Sequence, residues 1–135
     1  MLNIAVSDDQ EALEHLLDYD GMVYVLRDGY WLKFAIRRVP VSPHRPHGID
    51  YAFTMHAPTN ERIFGLDNDH AVPHPGGRHV APPVEYDHLH RDEHDRGRPY
   101  RYSSAVALVE DFFDGVQRRL RELGLGPIEI TEIRR

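Results

Sequence analysis

Cysteine is absent from the 135-residue chain, which excludes a disulfide framework, thiolate metal ligands and cysteine nucleophiles together. Lysine is nearly absent too, since fifteen of the sixteen basic residues are arginine and Lys33 is the exception. No apolar run approaches the ~18 residues needed to span a bilayer, so no membrane partner is expected. There is no glycine-rich phosphate loop, no Gly-x-Ser-x-Gly elbow and no His-Glu-x-x-His pair. P-loop nucleotide hydrolysis and serine-esterase chemistry are therefore not expected. The start, Met1 to Gln10, lacks the basic and apolar stretches of a secretory signal, which points to the cytoplasm.

What is present suits one compact domain over 1–135, large enough to bury roughly two thirds of its unfolded surface. The formal charge is −6, but it is concentrated at one end. Asp8, Asp9, Glu11, Glu14, Asp18 and Asp20 precede any Lys or Arg, and beyond residue 20 the acidic and basic residues balance, 16 against 16. Such a segment reads as a solvated helix face, or as a surface for a basic partner. Histidine is the second anomaly: of ten, six (His70, His74, His79, His88, His90, His94) fall within residues 70–94.

Along the chain, Ser7 followed by Asp8-Asp9-Gln10-Glu11 reads as a helix N-cap with acids in the first turn. Leu13, Leu16 and Leu17 give that helix an apolar face, and Gly21 stops it. Met22 to Arg27 and Tyr30 to Val39 read as a hairpin joined by Asp28-Gly29. Ile49, Tyr51, Phe53 and Met55 alternate with polar or small residues as a half-buried strand, and Arg62 to Leu66 return as its partner. From Asp67 to Arg98 no periodicity survives. A structureless stretch longer than ~15 residues in a compact domain is usually either functional or disordered, and 67–98 is read as a His/Pro-rich functional loop. Ser103 or Ser104 then caps a long helix with Ala105, Leu108, Val109, Phe112, Val116, Leu120 and Leu123 on one stripe. Pro99 to Tyr102 and Ile128 to Ile133 are candidates for short additional strands. The sum is an α+β fold: an antiparallel sheet of about four strands in two hairpins, with both helices on one face.

The other face of that sheet would be open, lined partly by Trp31, Lys33 and Arg37. With Arg38 and Arg45 these read either as ordinary surface, the commoner case, or as an RNA-binding face that combines base stacking with phosphate contacts. The chemistry is expected at Asp67-Asn68-Asp69-His70 and Asp87-His88-Leu89-His90. Imidazole titrates near neutral pH, so His70, His88 and His90 suit general acid and base roles in RNA cleavage. Asp67 or Asp87 would orient an imidazole, and Arg98 or Arg101 would neutralise charge developing on phosphate. The same residues leave a metal reading open, with His70, His88, His90 and Asp87 holding Zn or Mn; the leading reading uses no metal and no cofactor. On composition alone, a polar loop whose His and Asp residues only hydrogen-bond one another weighs about as much as both chemical readings together. A non-enzymatic binding module that holds a partner with the open sheet face and the acidic N-terminal helix is the third functional reading. His44, His47, His15 and His56 read as structural or solvated.

Four motifs in order suggest a family: Phe64-Gly65-Leu66-Asp67-Asn68, one residue, His70; Tyr86-Asp87-His88-Leu89-His90-Arg91; Gly97-Arg98-Pro99-Tyr100-Arg101-Tyr102; and Leu108-Val109-Glu110-Asp111-Phe112-Phe113. Over about residues 49–123 the chain resembles TumE-like proteins, small bacterial toxins of type II toxin–antitoxin pairs. Asp69 departs from the small residue expected between Asn68 and His70. The resemblance implies a cytoplasmic toxin acting on RNA and neutralised by a DNA-binding antitoxin, with Asp67, Asn68, His70, Asp87, His88, His90, Arg98 and Tyr100 at its site. Homodimerisation stays open.

Overall fold

Alternation in the sequence dictates the sheet. In β3 (Ile49–His56) every second residue is buried, as are Leu32, Phe34 and Ile36 in β2 (Trp31–Arg38), because a strand sends successive side chains to opposite faces. The computed structural model describes residues 4–68, 88–90 and 98–135, with 4–8, 88–90 and 98–99 as backbone only. The remaining strands are β1 (Val23–Leu26), β4 (Arg62–Asp67), β5 (His88–His90), β6 (Arg98–Pro99) and β7 (Ile130–Arg134). They form one sheet in the order β6-β5-β4-β3-β2-β1-β7, each neighbouring pair antiparallel. Two hairpins thus form the centre, as the alternation predicts. β7 extends the sheet beyond β1, and the short β5 and β6 extend it beyond β4.

Register explains the core. Tyr24, Leu32, Met55 and Phe64 stand in one cross-strand row, and Phe34, Phe53 and Leu66 in the next. All are buried, each Leu, Phe or Met stabilising by roughly 1.5–3 kcal/mol relative to exposure. Against this face pack α1 (Ile4–Leu17) and α2 (Ala105–Glu122). α2 contributes the buried stripe Ala105, Leu108, Phe112, Val116 and Leu120, and α1 contributes Leu16. Gly115 lets the Phe64 ring lie directly on α2, since a Cβ there would stand 2.0 Å from the Phe64 Cζ. Leu123, expected on the stripe, is 39% exposed because it follows the last helical turn.

The helix ends follow capping chemistry. Ser104 Oγ accepts from Ala107 N–H at 3.1 Å. At the other end Gly124, with φ +77°, donates to the Arg121 carbonyl while Leu125 donates to that of Leu120, a Schellman closure. Ser7 does not start α1, which already runs from Ile4. The acids that follow serve the tertiary fold instead. Asp9 Oδ1 accepts from Ala105 N–H at 2.8 Å and helps cap α2. Glu14 pairs with Arg38, and Asp20 Oδ1 accepts from Ile36 N–H at 2.9 Å. Three of the six N-terminal acids are therefore tied into the fold, so the bare acidic surface envisaged for a basic partner is narrower than the charge run suggests.

The first hairpin differs in its turn. Leu26 N–H donates to the Tyr30 carbonyl at 2.7 Å, leaving Arg27, Asp28 and Gly29 as a three-residue loop instead of Asp28-Gly29 alone. Arg27 N–H instead donates to the Glu129 carbonyl at 2.9 Å, and the two side chains approach to 3.4 Å. That contact leads the chain into β7 and was not readable from local sequence.

Candidate functional site

The site begins where β4 ends. Leu66 faces the core, so strand alternation puts Asp67 on the opposite face, helix-free among the described residues, aligned with Ala52 of β3. Asp67 is nonetheless only 8% exposed. Asn68 then extends the ladder with its own side chain. Its N–H donates to the Tyr51 carbonyl at 3.2 Å, Oδ1 accepts from Tyr51 N–H at 2.9 Å, and Nδ2 donates to the Ile49 carbonyl at 2.8 Å. The carboxamide imitates one more strand residue and clamps the chain after Asp67 onto β3. Asn68, a candidate substrate contact from the sequence, is 3% exposed and has its carboxamide bonded to β3.

β5 pairs with β4 in the register Asp67↔His88, Leu66↔Leu89 and Gly65↔His90. The positions of His88 and His90 therefore share the helix-free face with Asp67 and Gly65. Directly paired positions in an antiparallel ladder lie roughly 5 Å apart between Cα atoms. In β6, Pro99 aligns with His88, whereas Arg98 aligns with Leu89 and so takes the alternation of the core row. Tyr100 Oη donates to Asp111 Oδ2 of α2 at 2.7 Å, on the helix side, and Arg101 is exposed. The expected group thus divides: Asp67, His88 and His90 fall on one face, Arg98 and Tyr100 towards the other. His70 and Asp87, along with most of the 67–98 stretch, lie outside the described residues.

Three further rows of the helix-free face are built from β2, β3 and β4. Trp31, His56 and Arg62 form one, Lys33, Thr54 and Gly65 the next, and Arg37 with Asp50 the last. Trp31 and His56 stack at 4.0 Å between ring centroids and 10° between planes, so one face of the indole expected to take a base is already covered. A carbonyl can only accept, so His56 Nδ1–H donates to the Asn60 carbonyl at 3.0 Å. Nε2 then accepts the Thr54 hydroxyl at 2.9 Å. Burial pushes the His56 imidazole below its ordinary pKa against the opposing effect of the Asn60 bond, and the Lys33 and Arg62 cations lower it further. Arg37 contacts Asp50 at 3.1 Å, while Lys33 stands exposed.

His56, read from the sequence as structural or solvated, stacks on Trp31 in its row, and Arg62, not singled out there, aligns with it. The available signal was their shared parity with Trp31 across two strand pairs, which becomes visible only once both hairpins are registered against each other. Among the described residues, no group of three His, Cys, Asp or Glu side chains gathers as a metal cluster. No helix among them is long and apolar enough to cross a membrane.

No curated protein and no solved structure matches the chain. A family model described as "Toxin TumE" matches residues 7–120, well over half of the length. That span runs from α1 to the last turn of α2 and contains Asp67, Asn68, β5 and β6. A toxin of this kind implies an antitoxin partner. The chain belongs to the TumE toxin family.

Proposed function

We propose that this toxin cleaves RNA by histidine acid–base catalysis on the helix-free face, at the junction of β4 and β5, without a metal. The observation that carries the reading is the register of β5, with His88 opposite Asp67 and His90 opposite Gly65. Two positions apart on one strand are separated by roughly 7 Å, room for a phosphodiester between two imidazoles. One imidazole would remove the proton of the ribose 2′-hydroxyl as it attacks phosphorus. The other would protonate the departing 5′-oxygen. Asp67, held by the Asn68 clamp, would orient the nearer imidazole, with His70 and Asp87 as the other members of the group. Lys33, exposed on the same face, would meet substrate phosphate, with Arg62 one row away and the exposed Arg101 beyond β6; Arg98 and Tyr100, aligned or bonded towards the helix side, would not.

Expression of the toxin without antitoxin tests the roles directly. Alanine at His88 and His90 together should abolish growth arrest while the variant still binds the antitoxin, which the reading takes to be a DNA-binding protein in the cytoplasm. Growth arrest that survives the double substitution would overturn the assignment. With two imidazoles as acid and base, the cleavage rate should be bell-shaped between roughly pH 5 and 8.

A further inference from the structure

β7 forms one edge of the sheet, and each of its five residues is exposed. Its partner β1 uses one side of its backbone; the other side presents the alternate N–H and C=O groups outward, a template for a further strand. Ile130 and Ile133 are 42% and 55% exposed. Ile133 aligns with Tyr24, on the side of the sheet that carries the helices, while Glu132 aligns with Val25 and Arg134 with Val23, on the other side. A register shift between Val25 and Leu26 lets Ile130 align with Leu26, so the two isoleucines share a face and the regular part of the edge is confined to residues 132–134.

The order of side chains selects the occupant. Laid antiparallel on its own copy with Ile133 opposite Ile133, the strand sets Glu132 opposite Arg134 and Arg134 opposite Glu132. Centring one residue earlier would put Glu132 opposite Glu132. Shifting by a single position would put a charge opposite an isoleucine and the helices of the two copies on opposite sides. Of these registers over the regular residues 132–134, the first alone matches apolar with apolar and acid with base. In the monomer, Arg134 Nε and Nη2 bond the Glu132 carboxylate at 2.5 and 3.1 Å, and the same donors and acceptors can exchange between copies.

We propose that β7 is a self-association edge, pairing two copies of this chain antiparallel about Ile133 with reciprocal Glu132–Arg134 contacts. The two-fold axis then stands perpendicular to the sheet. Both helix-free faces look to the same side and all four helices to the other, an isologous dimer with one continuous sheet. So short an edge buries less than the ~1,200 Å² of standard complexes, and micromolar or weaker association is expected.

Sedimentation of the full chain over a range of concentrations tests this, with Glu132→Arg and Arg134→Glu studied separately and mixed. Both substitutions sit at exposed positions, and thermal melting checks that each variant remains folded. The wild-type chain should dimerise, and each single variant should associate at least about tenfold more weakly, because like charges then face each other. An equimolar mixture of the two should recover dimer, since acid again meets base across the edge. A wild-type chain that stays monomeric would overturn the proposal and leave the edge to a strand of another protein. Variants that dimerise like wild type, or a mixture that fails to recover, would equally overturn it.

Discussion

Replacing Asn68 by alanine separates a positioning residue from a substrate-binding one. The substitution removes the acceptor of Tyr51 N–H and the donor to the Ile49 carbonyl, in a stretch where Tyr51 and Ile49 are each 1% exposed. A buried backbone group left without a partner costs about 1–3 kcal/mol, so the two together cost roughly 2–6 kcal/mol. Against a total stability of about 5–15 kcal/mol for a domain that loss is large. It should lower the melting temperature by roughly 10–20 °C at this chain length. Asn68→Asp retains an acceptor for Tyr51 N–H but turns a carboxylate oxygen towards the Ile49 carbonyl, so it should rescue little near neutral pH. Thermal and urea unfolding followed by circular dichroism read both variants. A melting temperature within about 2 °C of wild type, in an Asn68→Ala protein that no longer arrests growth, would refute the ladder argument and restore Asn68 to the substrate.

Gly115→Ala should also destabilise, against the usual gain of about 1 kcal/mol for alanine in a helix. The new methyl meets the Phe64 ring at 2.0 Å, and overpacking of this kind costs about 1–3 kcal/mol or more; a raised melting temperature would contradict the packing described. His56 gives a pH signature. Its folded pKa lies below the unfolded value, so on acidification the unfolded chain takes up the proton first. Its contribution is complete above about pH 6.5 and declines as pH falls from there towards the folded pKa. His56→Gln should therefore lose less stability than wild type between pH 7 and 5, and parallel pH profiles would count against the buried neutral imidazole.

The parts of the fold legible in the sequence are those fixed by local periodicity or local capping. β3 was readable to its ends because Ile49, Tyr51, Phe53 and Met55 alternate without interruption, and α2 because one stripe lies between Ser104 and Gly124. Contacts between distant residues were not readable. Asp9 caps a helix that begins 96 residues later, and Arg27 meets Glu129. The candidate site was legible as composition, in the acids and imidazoles gathered around Asp67 and His88. Its arrangement was not, since β5 has three residues and β6 two, too few to carry a period. Hence Arg98 and Tyr100 read as companions of the histidines, although their alignment and hydrogen bonding lie with the core row and α2.

The most direct measurement of the central claim is cleavage of total RNA and tRNA by the purified chain, with and without EDTA, beside a folded His88→Ala/His90→Ala variant. The account predicts cleavage that survives EDTA and disappears in the variant. Cleavage lost to EDTA would instead assign His70, His88, His90 and Asp87 to a Zn or Mn site, and cleavage retained by the variant would contradict placing the chemistry at the β4–β5 junction.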